Sequence, residues 1–480
     1  MSPRWSWQDG SRSRIGLEVQ ARQTRFSDRT ADEREALLGT PPSYAADNLG
    51  SELRTAFVRS RLNVRHTLDN EVTVELRGGV DTLRRHSDAT FVGFDAAGAV
   101  VMSESVIADV DEHAPVIAGK LRLPYARGHA VAFGGDADVN ERSESRSQRQ
   151  SSPTGRPTLD LDESYVSRVQ RGGFFLQDEW SPDDQFSLNA GLRWTALRTR
   201  TGGPGLAPVG DMYDVWSPVL QGLFKPAGPN SGSQLRFALS RSWRPPRTRD
   251  LVPRRYVANE NTPTTPDILG NPALRPELAC GLDLAAEHWL EGDGGMFSLA
   301  AGARRVRDTI LDRLQRDAGG TWVQSKANGG SATTWSLEFE SRLRGNGGEV
   351  RLAAARFGSR VAGLPGPDNR LDSQVPWSGS VGAEWRAAGG VTLGVEHTVQ
   401  GGVRAQVSAT QHTRSEPRRV LDLFGTWRPS RDWQWRLALT NLLARDRTTF
   451  DEAADAAGRF TQTTREPTAR GIALGADIRF

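Results

Sequence analysis

Along most of this chain apolar and polar residues alternate one for one. At the C-terminus Ile472, Leu474, Ala476, Ile478 and Phe480 share one face, and Gly471, Ala473, Gly475, Asp477 and Arg479 take the other. Between Phe186 and Thr195 the apolar set is Phe186, Leu188, Ala190, Leu192 and Trp194, against Ser187, Asn189, Gly191, Arg193 and Thr195. Trp335, Leu337, Phe339 and Leu343 oppose Ser336, Glu338, Glu340 and Arg342 in the same way. A period of two is the signature of strands whose faces meet different surroundings. In a soluble sandwich the inner faces of two sheets would have to pack on each other. Here the second face carries charges and glycine, as the wet lumen of a membrane barrel requires.

The connections sharpen the picture. Short turns are predicted at Leu68-Asp69-Asn70, Tyr125-Ala126-Arg127, Ser181-Pro182-Asp183-Asp184, Gly228-Pro229-Asn230 and Gly292-Asp293-Gly294, and again at Gly345-Asn346-Gly347, Ala388-Gly389 and Pro429-Ser430-Arg431. Between them lie longer polar connections at 26–50, 86–112, 143–162, 200–212, 245–276, 310–330, 361–374, 403–417 and 445–467. Short and long alternate strictly, which is the asymmetry of outer-membrane barrels: short periplasmic turns and long extracellular loops. The expected fold is all-β, a transmembrane antiparallel up-and-down β-barrel of about eighteen strands. It should occupy residues 14–480, with 1–13 a partial strand or turn. Phe480, Trp427, Trp433 and Trp435 are expected in the periplasmic aromatic girdle.

Composition removes the competitors. A hydrophobic fraction of 37% is too low for a helical membrane protein, and no run of about 18 apolar residues is present, so a transmembrane helix is excluded. Barrel strands escape that test because only every second residue faces lipid. Cys280 is the sole cysteine, which rules out a disulfide framework; beside Leu282 and Leu284 it reads as a small lipid-facing hydrophobe. The seven His are scattered, and His288, His397 and His412 have no accompanying catalytic motif, so neither an enzyme nor a resident metal or cofactor is expected. Asp136/Asp138 and Asp160/Asp162 are spaced by two, which places each pair on one strand face as lumen charge rather than as a calcium site. The net charge is only +3 and acidic residues interleave with arginines, which argues against a nucleic-acid partner. The segment Met1-Ser2-Pro3-Arg4-Trp5-Ser6-Trp7 reads as lacking a signal peptide.

One stretch carries more than periodicity. Residues 240–251 read Ser-Arg-Ser-Trp-Arg-Pro-Pro-Arg-Thr-Arg-Asp-Leu, and after a long loop come Gly270-Asn271-Pro272-Ala273-Leu274-Arg275-Pro276-Glu277. With Gly173-Phe174-Phe175-Leu176-Gln177-Asp178-Glu179-Trp180, Gly191-Leu192-Arg193-Trp194 and Leu439-Thr440-Asn441-Leu442-Leu443, this resembles the barrel half of TonB-dependent receptors. The resemblance implies a bacterial outer-membrane protein that imports a scarce ligand such as a ferric siderophore, energised by the TonB system. It also implies a barrel of about 22 strands around a plug. No plug and no TonB box are read in this chain, and roughly four strands fewer are counted than the family's 22. The barrel part of a receptor is therefore the first expectation. A passive substrate-specific porin and a non-transporting truncated remnant are the alternatives.

Two local expectations follow. The basic set Arg241, Arg244, Arg247, Arg249, Arg254 and Arg255, with Tyr256, could capture an anionic ferric chelate, and Phe91 and Phe94 could add stacking. Against this stands contact with outer-membrane lipid and anionic lipopolysaccharide, which are expected partners. The Gly-Asn-Pro element is expected to steer the chain back into strand 277–290, with Gly270 supplying a positive φ and each proline extending the residue before it.

Overall fold

The computed structural model describes residues 2–39, 41–153, 159–204, 206–456 and 458–478. Nearly every ladder joins consecutive hairpin strands antiparallel, in a twenty-stranded sheet. One member, Leu206–Val209, is a four-residue annex on the strand Phe186–Gly203. The remaining nineteen form an up-and-down meander, one more than expected because Arg4–Asp9 pairs with Ser13–Glu33 as a strand of its own. Among the described residues, Arg4–Asp9 and Gly471–Ile478 each have a single ladder neighbour.

The meander is rolled. Glu260 accepts a hydrogen bond from the Ser43 amide (2.6 Å), while Thr264 donates to Gln462 (2.5 Å). Those two partners belong to hairpins sixteen strands apart in sheet order, which in a flat sheet would separate them by about 77 Å at 4.8 Å per strand. Residues 260 and 264 can span only about 14 Å. The faces obey the period-two reading. Trp216, Phe224, Trp377, Trp385, Leu337, Leu437, Ile472 and Leu474 are exposed on one side. The other side carries ion pairs between strands: Arg171–Asp138 at 2.5 Å, Arg59–Asp81 at 2.9 Å and Arg304–Asp283 at 2.8 Å join neighbours, and Arg193–Asp136 at 2.5 Å reaches across the strand between them. Trp216 and Phe224, like Trp377 and Trp385, sit eight residues apart on one strand. That is about 27 Å along the strand, or about 21 Å of height at a 40° tilt, close to the apolar band of an outer-membrane barrel.

All eight predicted short turns lie at one end, at 68–72, 127–128, 181–185, 225–232, 291–294, 346–347, 387–390 and 428–432, joined by the first turn at 10–12. The long-connection end needs correction in the N-terminal half. Residues 26–50, 86–112 and 143–162 are largely strand: Ser13–Glu33, Ala46–Thr67, Thr73–Phe94, Val100–Ala126, His129–Ser151 and Leu159–Trp180 run 21–27 residues and stay in register almost to their tips. In the C-terminal half strands stop after 8–15 residues. The chain beyond them builds two separate four-stranded sheets, one from Arg255–Tyr256, Asp267–Leu269, Trp322–Asn328 and Ile310–Arg316, the other from Arg404–Gln406, Gln411–Ser415, Arg447–Asp455 and Gly458–Glu466. Phe480 and Arg479 lie outside the described residues, so the girdle assignment of Phe480 does too; Trp427, Trp433 and Trp435 are exposed beside the last short turn.

Candidate functional site at the long-loop mouth

The loop 245–276 leaves the strand Ser233–Arg244 and returns at Glu277. Its neck is clamped by its own ladder partners, the Arg244 guanidinium lying 2.5 Å from the buried Glu277 carboxylate. Glu277 also accepts the Ile310 amide (2.7 Å), which ties the neck to the neighbouring hairpin. Pro245 and Pro246 prevent the strand from continuing, and one short helical turn follows at Thr248–Leu251.

The returning Gly-Asn-Pro element is a fastening device. Asn271 donates from its amide to the Asp250 carbonyl (2.6 Å) and from its side chain to the Lys326 carbonyl (2.9 Å). The Arg275 amide donates to Asn328 (2.8 Å), and its guanidinium pairs with Asp308 (2.5 Å). Gly270 is required here for a different reason than expected. Its φ is not positive; instead a Cβ there would stand 1.7 Å from the Val252 carbonyl oxygen.

The basic set separates into three kinds of residue. Arg254 is buried at 3% exposure. It donates to Glu144 (2.9 Å) and to the Tyr165 hydroxyl, lies 3.5 Å from Glu163, and stacks 3.6 Å above the Tyr256 ring. Arg146 covers Tyr256 as well (5.0 Å), so the ring is shared by two cations. Arg255 bridges Asp267 (2.6 Å) and Asp317 (2.7 Å). Hydrogen bonds from Arg255 and from the Thr321 amide hold the Asp317 carboxyl below the ordinary carboxylate range. Only Arg247 and Arg249 offer charge to solvent: Arg249 has a loose 3.4 Å contact with Asp250, and Arg247 has no side-chain partner among the described residues. Arg241 is not in this group, because it sits on a strand position facing away from the lumen, paired with Cys280.

Beyond its anchor the loop crosses the mouth. Glu260 reaches Arg34 (3.4 Å) and Ser43, Asn261 exchanges hydrogen bonds with Trp322 (2.8 Å each way), and the Pro263 carbonyl accepts from Gln411 (2.9 Å). Phe91 is no stacking platform. It is packed edge-on against Tyr44 with Val101 and Met102, and Arg34 lies 3.9 Å over the Tyr44 ring. Burial pushes the Tyr44 phenol well above its ordinary pKa, against the pull of the Arg34 charge. The acidic pairs also divide: Asp136 and Asp138 face the lumen as expected, whereas Asp160 and Asp162 face outward and pair with Arg149 (3.0 and 2.7 Å). Sequence reasoning missed Glu144, Glu163, Tyr165 and Glu260. Nothing local marks their place in the site, because the contacts that put them there span 89 to 226 residues.

Residues 6–442 match the family described as TonB dependent receptor-like, beta-barrel. No curated protein matches the sequence. Among solved structures, the siderophore receptor PiuA from Acinetobacter baumannii is similar over 99% of this chain and 73% of its own, at 12% identity and a TM-score of 0.64. The pyoverdine outer membrane receptor FpvA from Pseudomonas aeruginosa is similar over 100% and 76%, at 10% identity and 0.65. The copper transporter OprC is similar over 100% and 79%, at 14% identity and 0.62. The family and its fold are those of receptors and transporters rather than enzymes. The rolled meander, its wet charged face, its aromatic belts and the fastened Gly-Asn-Pro loop thus find one common account: this chain belongs to the TonB-dependent receptor family, as its outer-membrane β-barrel.

Proposed function

We propose that this barrel serves an outer-membrane receptor that takes up a scarce anionic ligand, a ferric siderophore being the class that fits best. The observation that carries the reading is the loop 245–276, held across the mouth by partners on both sides of the sheet while presenting Arg247 without a side-chain partner among the described residues and Arg249 with only a 3.4 Å contact to Asp250. Guanidinium groups keep their charge at any relevant pH and match chelate oxygens with two donors each. In this reading Arg247 and Arg249 make first contact with ligand. Arg244, Arg254, Arg255 and Tyr256 hold the loop that presents them, and the TonB system supplies the energy, as the family implies. The likeness to a copper transporter as well as to siderophore receptors means that the fold does not choose the ligand.

The test is uptake of radiolabelled ferric siderophores and of copper by cells carrying this chain in the outer membrane, with and without TonB. TonB-dependent siderophore uptake that falls about tenfold in Arg247→Ala/Arg249→Ala, the loss of two charge-assisted contacts, is the expected result. A TonB-independent conductance with no uptake would replace it with a passive pore. Copper uptake insensitive to both substitutions would overturn the assigned ligand.

A further inference from the structure

One ladder of the meander is unfinished. The strands Met212–Phe224 and Ser233–Arg244 pair from Phe224 opposite Leu235 up to Val219 opposite Ser240, and there the ladder stops. Both strands run on. Residues 212–218 stay paired with the strand Phe186–Gly203, and residues 241–244 with Glu277–Leu290. Continued in the same register, Pro218, Ser217, Trp216 and Val215 would face Arg241, Ser242, Trp243 and Arg244, and none of these four rungs forms. Elsewhere among the described residues of the meander, a ladder ends within one residue of the end of one of its strands. The wall is forked at this one place.

The sequence accounts for the fork. Pro218 stands at the first open position and has no N–H to give a rung. On the other arm Pro245 and Pro246 follow Arg244 directly, and the loop then carries the chain to the buried anchor at Arg254. The fork lies at the outer edge of the membrane. Phe174, Trp194 and Trp216 form one outward aromatic row, and Trp243 takes the same level across the gap. Pro218 is about 7 Å further down its strand, on the apolar side of that row. Unpaired backbone groups are tolerated where water reaches them and not in hydrocarbon, so the deepest open position is held by the residue with the fewest of them. The two sides of the gap differ. Toward lipid its rims are the indoles of Trp216, 50% exposed, and Trp243, half-buried. Toward the lumen they are Ser217, whose buried hydroxyl has no hydrogen-bond partner, and the exposed Ser242.

We propose that the fork takes the acyl tail of an amphiphilic ligand whose anionic chelating head is bound by Arg247 and Arg249. The inference deepens the uptake reading given above and rests on it. The indole rims are apolar and sit at the depth where a tail enters the bilayer. The hydroxyl rims suit the amide or ester that joins a tail to its head, and such a linkage would give Ser217 its missing partner. Arg247 comes three residues after Arg244, within about 10 Å of the rim. A head held there keeps its tail in the bilayer through the wall, and no methylene has to be drawn into the wet mouth. A tailless chelate gains nothing from the opening.

The test uses a citrate-based ferric dihydroxamate bearing one dodecanoyl tail with a diazirine at mid-chain. The folded full-length protein is held in phosphatidylethanolamine nanodiscs, photolysis attaches the tail to whatever lies beside it, and peptide mass spectrometry counts the adducts. Adducts on residues 212–218 and 241–244 should exceed those on the intact row at Phe174 and Trp194 about tenfold, a modest effect for a tail tethered by its bound head. The same chelate without a tail, in excess, should remove that preference, and so should Arg247→Ala/Arg249→Ala. Trp216→Cys/Trp243→Cys in a Cys280→Ala background closes the fork when oxidised and should abolish the preference, with reduction restoring it. Should the arms resist closure, Trp216→Ala/Trp243→Ala is expected to abolish it instead. Heat-modifiable gel mobility verifies folding of each variant. Adducts spread evenly over the apolar band would overturn the proposal, as would a preference that survives closure or the loss of both indoles. A preference indifferent to Arg247 and Arg249 would overturn the assigned ligand and leave a slot for bilayer lipid. No transport is measured, so a failure of TonB-driven uptake counts against the uptake reading and leaves this result standing.

Discussion

The N-terminal and C-terminal halves of the meander solve the same problem in two ways. From Ser13 to Trp180 each strand continues past the membrane, 21–27 residues long, although about 9–11 suffice for the crossing. The overshoot is held by the ladder itself and by cross-strand pairs such as Arg25–Glu52 and Arg142–Glu112. From Glu277 onward strands end near the aromatic belt, and the chain beyond is free to turn inward and form its own small sheets. The first half is thus a fixed wall, and the second supplies the material laid across the opening. What joins them is loop 245–276, whose Arg254 is buried in the wall while its Thr264 touches the last long hairpin.

The strongest way to break this division is to remove the wall anchor. Arg254→Ala leaves Glu144 buried without one of its two cations, and loss of one partner of a buried pair costs on the order of 3 kcal/mol. Amide exchange over residues 252–256 should accelerate about a hundredfold, with the 129–180 ladder unchanged; unaltered protection would show that the loop does not depend on the wall. A smaller effect is expected from Gly270→Ala, where the added methyl meets the Val252 carbonyl. Overpacking of that kind costs about 1–3 kcal/mol, and it should loosen Thr248–Leu251 against Asn271 while Arg254 stays docked. Simultaneous release of both in a hydrogen-exchange measurement would merge two fastenings that the geometry keeps apart.

The smallest effect concerns pH. Asp317 has its folded pKa depressed, so its link to Arg255 contributes above the ordinary carboxylate value and is lost only as pH falls through the lower folded value. Exchange at residues 316–322 should therefore be flat from pH 8 to about pH 5 after correction for intrinsic rates, and rise only in stronger acid. A transition near neutral pH would place control of this contact elsewhere.

How much of this the sequence disclosed depends on which neighbours decide each feature. Strand faces such as Trp335, Leu337 and Phe339 were legible because lipid and water sort alternate residues, whatever the partner strand. Seven of the eight short turns were legible because Gly, Pro, Asn or Asp marks them, Tyr125-Ala126-Arg127 being the exception. The overshooting strands were not. Beyond the membrane both faces are wet, so Asp28, Arg29, Asp88 and Asp109 look like loop residues although each has a ladder partner. Within the basic set, Arg247 and Arg254 are indistinguishable in composition. One is free and the other buried because Glu144, 110 residues earlier, stands beneath only the second.

The reach of loop 245–276 also sets an order of events in biogenesis. Its contacts include the Ser43 amide near the first long hairpin and Gln462 in the last. Chain threading therefore cannot bring the loop to rest at the moment its own strands pair. It must wait, unsettled, until almost two hundred further residues have entered the membrane and the sheet has rolled far enough for its two ends to face each other. Its settling is a completion signal: a surface protease that cuts after Arg254 in a half-assembled chain would find that bond shielded once the loop has docked.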